Sequence, residues 1–231
     1  MQAERPFAYS GSILSRTIVY IDGFNLYYRA LKHTAHKWID IAALSAAALP
    51  ASNNVQRVNY YTARISGRTD PTAPARQHAY LRALGSSPSV HIHYGNFLST
   101  KIWAGLVQPP QFRPDFPLPL GEAPVMAYVR KTEEKGSDVN LGVHLVRDAF
   151  LKAFDEAAIL TNDTDLVEAV RIVTQEVGLP VTLLTPVNRP AVSLERVASH
   201  VRHVGPYLGT CQFPDTVPLP TGQIVRKPLG W

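Results

Sequence analysis

Apolar residues along this chain fall into short β-branched runs, separated by stretches in which they recur every three or four positions. Residues 17–21 (TIVYI) form one such run, and it stops at Asp22-Gly23, the pattern of a buried strand leaving a sheet. A helix is predicted over 24–31, and a second over 41–49 with Asp40 as its cap. Residues 55–65 (VQRVNYYTARI) read as strand, 75–84 as helix and 90–97 (VHIHYGNF) as strand again. After a further strand at 125–132, the residues Val139, Gly142, Val143, Val146 and Phe150 recur at helical spacing within 137–154. A strand at 156–160, a helix at 164–177 and a strand at 181–184 complete the pattern. Strands alternating with helices predict an α/β, Rossmann-like domain with a mainly parallel central sheet flanked by helices. The predicted organisation is an N-terminal extension (1–15), a domain over 16–204 with a proline-rich insertion at about 105–124, and an extended Pro- and Gly-rich tail over 205–231.

In an open parallel sheet, functional side chains gather beyond the carboxyl ends of the strands. The pattern puts Asp22 at the end of the first strand, and Asp163 and Asp165 just past 156–160. Asp138 follows the strand that ends near residue 132. Taken singly, Asp138 and Asp163 also read as helix caps, and Asp22 before Gly23 as a turn residue. Together, acids at one sheet edge repel one another unless a cation neutralises them, and hard oxygen ligands suit Mg²⁺ or Mn²⁺.

Composition narrows the setting. The chain has 231 residues, a single cysteine (Cys211) and a formal charge of +5. One cysteine excludes an intramolecular disulfide framework and a cysteine-based zinc cluster. No apolar run reaches the roughly 18 residues of a membrane span, so no membrane partner is expected. The first residues lack the pattern of a signal peptide, which gives a cytoplasmic expectation. The basic balance favours a polyanionic partner. No G-x-G-x-x-G, Walker A or G-x-S-x-G motif occurs.

Three segments carry a resemblance: 18–28 (IVYIDGFNLYY), 131–145 (KTEEKGSDVNLGVHL) and 159–167 (ILTNDTDLV). In their order and spacing they resemble the NYN domain, a branch of the PIN-like nuclease superfamily. Asn162 stands where a glycine is common in that family, tolerable if it adopts a left-handed or turn conformation, and Leu166 where an aromatic is common. The resemblance implies a metal-dependent ribonuclease with Asp22, Asp138, Asp163 and Asp165 as metal ligands and Asn25 as a neighbouring polar group. Two alternatives rank below it: a nucleic-acid-binding regulatory module with a vestigial site, against which the retention of all four acids argues, and an oxygenase-type enzyme for aromatic substrates, which some members are held to be, although the sequence shows no flavin, haem or iron-binding constellation.

In that reading Mg²⁺ or Mn²⁺ activates water for attack on phosphorus, and Lys135 neutralises developing charge. Thr161 and Thr164 are candidates to support the ligands, while Glu133 and Glu134 are expected to face solvent. RNA, single-stranded or structured, is the expected substrate. Grip is expected from Arg64, Arg68, Arg76 and Tyr61, arginines for phosphates and tyrosine for stacking. His91 and His93 share a strand face and read as ordinary half-buried histidines. A homo-oligomer is compatible with the sequence.

Overall fold

A computed structural model describes residues 14–67, 70–108, 110–112 and 124–231. Its main sheet has seven strands among these residues: β1 (Ser15–Asp22), β2 (Asn53–Ala63), β3 (Val90–Gly105), β4 (Met126–Lys135), β5 (Glu156–Leu160), β6 (Val181–Thr185) and β7 (His200–His203). They lie in the order β4-β3-β2-β1-β5-β6-β7, parallel throughout except for the antiparallel β3/β4 pair. β1 is central, so its apolar run has no alternation: both faces must be covered. Val19 and Ile21 point into one core, Ile18 and Tyr20 into the other.

Helices α1 (Gly23–Leu26), α2 (Ile41–Ala48) and α3 (Ala73–Leu84) cover the first face. α1 continues as π-helical turns over Tyr27–Leu31, and Asp40 caps α2 by accepting from the amides of Ala42 and Ala43. Helices α4 (Ser137–Phe150), α5 (Val167–Arg171) and α6 (Val192–Val197) cover the second. The chain leaves β1 in one direction to β2 and β3, then returns to build β5, β6 and β7 on the other side. The β1/β5 junction is therefore the point where strand order reverses, and crevices form there at the carboxyl ends of strands.

Three elements depart from the sequence pattern. β3 runs to Gly105 instead of residue 97, because its second half pairs with β4 as a ribbon beyond the sheet. Most ribbon residues are exposed on both faces, so no buried alternation marked them. α4 ends at Phe150, four residues early, where Lys152 takes a left-handed φ of 52° and returns Phe154 to the core. The segment 205–231 is packed down, not loosely extended. Phe213, Val217 and Val225 are buried in the first core, the indole N–H of Trp38 donates to the Pro214 carbonyl at 2.9 Å, and Trp231 meets Trp38 edge-on at 6.3 Å. A small hairpin of β8 (Thr216–Pro218) and β9 (Ile224–Arg226) holds these anchors in place. Proline content hid them. Of the proline-rich insertion, residues 109 and 113–123 lie outside the described part.

Candidate functional site

The strand-end acids meet at the β1/β5 junction. β1 ends on Asp22, which is 2% exposed, and the turn into α1 begins at once. That turn needs Gly23, because a Cβ there would stand 2.6 Å from the Tyr60 ring and 2.7 Å from the Tyr61 carbonyl oxygen. The Asp22 carboxylate accepts from the Asn25 amide (2.9 Å), the Asn25 side-chain amide (2.6 Å) and the Thr161 hydroxyl (3.1 Å). All three donors are neutral. Burial pushes the Asp22 carboxyl up, those hydrogen bonds oppose the shift, and Asp163 adds to it.

Thr161 also accepts from the Asp163 amide at 3.0 Å, while an Asp163 carboxylate oxygen accepts from the Asp165 amide. Asn25 ties the two strand ends together, since its side-chain oxygen accepts from the Asn162 amide at 3.2 Å. Asn162 does not adopt the left-handed conformation that its replacement of a glycine invited. Its side chain instead accepts from the Ala191 amide and pins the loop before α6, a role glycine could not fill.

Asp138, in the first turn of α4, completes the inner group. Its carboxyl is pushed up to about 6, first by burial and then by Asp22, Asp163 and Glu134. Glu134 is the acid that sequence reasoning misplaced. It is half-buried and accepts from the Ser137 amide (3.2 Å) and hydroxyl (2.6 Å), so it caps α4 beside Asp138. The signal was Gly95, a glycine inside a strand, which marks a close approach. A Cβ at Gly95 would lie 1.9 Å from a Glu134 carboxylate oxygen.

Asp165 stands apart from the inner group. It is exposed on the rim, where a groove of about 780 Å³ runs along α4 and α5. Glu134, Asp138 and Asp165 line its acidic part, with Lys135 beside them; Val143 and Ile172 are among its apolar walls. Lys135 faces this groove with its ammonium 3.4 Å from Glu133. Thr164 is exposed.

No described acid of the inner group has an ion-pairing lysine, arginine or histidine among the described residues. Nor, as placed, do three histidine, cysteine or carboxylate side chains among those residues form a group able to hold one ion. The donor set is all hard oxygen, anionic and uncompensated, which fits a divalent cation in chemistry; the closed geometry is not preformed.

The expected grip residues do not converge. Tyr61 is fully buried, its hydroxyl 3.0 Å from His144 Nδ1 and its ring stacked on His93 at 4.8 Å, so it cannot stack on a base. Tyr60 is buried on the opposite face. Both tyrosines face inward because β2 is covered on both sides. Arg76 pairs with Asp70, and Arg57 with Asp148. Arg64 is exposed over the Tyr94 ring at 4.9 Å, and Arg68 lies outside the described residues. His93 is held down to about 4, by burial and then by His144, His91 and the nearby arginines. It is therefore a neutral packing partner at physiological pH.

Residues 16–204 match the NYN domain model. The chain belongs to the NYN domain family. NYN is a PIN-like domain, and the α/β fold with its mostly parallel central sheet agrees with that membership. The chain is also 30% identical over 242 residues to the 6-hydroxy-3-succinoylpyridine 3-monooxygenase HspA of Pseudomonas putida, covering 94% of this chain and 75% of that protein. A solved structure of a protein of unknown function from Vibrio parahaemolyticus aligns with a TM-score of 0.48 and 17% identity, over 88% of this chain and 96% of that one. No helix among the described residues of this NYN protein is long and apolar enough to cross a membrane.

The acid group makes a stability prediction. The folded pKa of Asp138, about 6, lies above the usual unfolded value of about 3.9. Its ionisation therefore opposes folding: the cost is absent below about pH 4 and grows as pH rises through about 6. In EDTA at pH 7.5, Asp138→Asn should be more stable than wild type by about 1 kcal/mol, after discounting for solvent screening of a half-exposed group. Melting curves at pH 7.5 and pH 4 check it; the gain should vanish at the lower pH.

Proposed function

We propose that the chain is a Mg²⁺- or Mn²⁺-dependent ribonuclease acting at the β1/β5 junction. The observation that carries this reading is the group of Asp22, Asp138 and Asp163: mutually repelling carboxylates at the strand-order reversal, supported among the described residues only by neutral donors. Asp22, Asp138 and Asp163 would hold the ion, with Asp165 directly or through water. A bound divalent ion supplies charge neutralisation at phosphate and lowers the pKa of water. The chain's own residues do the rest. Asn25 and Thr161 fix the Asp22 carboxylate and leave its orientation no rotational freedom. Lys135 would swing from Glu133 toward the phosphate that enters the groove. The test is cleavage of a labelled RNA by the purified chain in Mn²⁺, in Mg²⁺ and in EDTA. Cleavage in metal and none in EDTA is expected; no cleavage with either ion rejects the reading.

A second reading has its own support. The relative is named as a 3-monooxygenase of 6-hydroxy-3-succinoylpyridine, and the groove has apolar walls with Arg147 in its lining, at a volume suited to a small molecule. Oxygen uptake by the same preparation, with 6-hydroxy-3-succinoylpyridine and a reductant, separates the two. Substrate-dependent uptake without RNA cleavage would favour this reading over the first.

A further inference from the structure

The ribbon of β3 and β4 beyond the sheet has one face that starts at the acids. Directly opposed residues of an antiparallel pair share a face. The register therefore sets Phe97 with Glu134, Ser99 with Thr132, Lys101 with Arg130 and Trp103 with Tyr128 on that face. At its inner end Glu134 borders Asp138, and the Phe97 ring meets Phe24, two residues after Asp22, edge-on at 5.9 Å. Lys101 stands four residues further out, about 14 Å along the strand, and Trp103 about 20 Å.

Two features of this face call for a ligand. Lys101 and Arg130 are like charges placed directly opposite each other, an arrangement that destabilises a strand pair. Among the described residues neither has an acidic partner. Beyond them Trp103 and Tyr128 lie 5.4 Å apart, 65% and 59% exposed, a large aromatic surface left to water. A cation pair followed by an aromatic pair, leading away from an acidic site, complements a phosphate followed by an unstacked base. In a duplex the bases are already stacked on one another and cannot reach such a platform.

We infer that the β3–β4 ribbon is a binding track for single-stranded RNA, with Lys101 and Arg130 on a backbone phosphate and Trp103 and Tyr128 stacking on a base. This rests on the ribonuclease reading for what lies at the inner end, and it moves the grip from Arg64, Arg68, Arg76 and Tyr61 to the ribbon. The track sets a minimum substrate length: a strand must span about 20 Å from the acids to reach the aromatic pair. It also recognises chain and base planes with little sequence preference.

The test uses the full chain and a fluorescent single-stranded RNA of about 12 nucleotides, within the site size of stacking platforms. Anisotropy in EDTA measures binding without cleavage. Trp103→Ala should weaken binding about tenfold. Lys101→Gln with Arg130→Gln should weaken it and lower the slope of log affinity against log salt by about 0.7, one single-strand phosphate contact. Removing the facing charges relieves repulsion, so this variant should fold at least as well as wild type, which circular dichroism checks. Duplex RNA of equal length should bind less tightly. Wild-type affinity and salt slope in both variants overturn the track, and metal-dependent cleavage by the same proteins would leave the ribonuclease reading standing. Weakened binding in the variants without any cleavage by wild type leaves the track standing and rejects the nuclease. A drop in sedimenting mass in the variants, with RNA binding unchanged, makes the ribbon a contact between copies of the chain and also overturns it.

Discussion

Asp163→Ala should lower metal-dependent RNA cleavage by at least about 10³-fold, the scale on which a single charged element of a preorganised site acts. Asp163 lies just past the end of β5, half-exposed, and among the described residues its carboxylate accepts one hydrogen bond, from the Asp165 amide. Losing that bond removes the cap of a short turn, at a cost of about 1 kcal/mol, which leaves the fold intact. Asp163→Asn separates the two roles. It keeps an oxygen for the Asp165 amide but loses the charge, so it should melt close to wild type and still be inactive. Initial rates in saturating Mn²⁺, with far-UV circular dichroism on the same samples, check both variants. Full activity in a clean Asp163→Ala preparation would sink the metal-nuclease reading.

The sheet and its acidic edge were legible because burial wrote them into the sequence. β1 has no alternation since both its faces are covered, and Asp22, Asp138 and Asp163 each follow a strand at the edge where a parallel sheet gathers its function. Of the ribbon, the strand at 125–132 is legible and stands as β4, but the continuation of β3 from residue 98 to Gly105 is not, because an exposed strand leaves no hydrophobic period to read. Tyr61 failed for the opposite reason. An aromatic beside arginines has the composition of a nucleic-acid contact, yet only the pairing of β2 between β1 and β3 decides that it faces inward. Glu134 has the local context of a surface charge, yet its bonds to the Ser137 amide and hydroxyl turn it in beside Asp138 where β4 meets α4. Charge and type can be read locally. Which charges meet is a matter of topology.

Beneath α4, on the α4–α6 side of the sheet, a second polar group carries structural weight, and its removal should be the largest stability change. Asp148 is a buried carboxylate that accepts from the Tyr20 hydroxyl at 2.8 Å, from Arg57 at 2.5 Å, and from Arg147 at 3.0 and 2.7 Å. Tyr20 is fully buried in the core of the central strand, and burial together with Asp148 holds its hydroxyl protonated far above the usual range. Asp148→Ala leaves that hydroxyl without an acceptor and strands Arg57, whose buried Nε already has no partner among the described residues. Breaking a buried pair from one side costs about 3–5 kcal/mol. Because Arg57 and Arg147 are partly exposed and can turn to water, the lower part of that range, about 3 kcal/mol, is expected here. Asp148→Asn keeps an acceptor for Tyr20 and should lose roughly half as much, since a neutral hydrogen bond replaces a charge-assisted one. Urea unfolding followed by tryptophan fluorescence reads both. Asp148 is ten residues from Asp138 along α4, about 15 Å of helix, so cleavage per folded molecule should survive in both variants. A lost activity with an unchanged urea midpoint would instead assign Asp148 to the reaction and not to the fold.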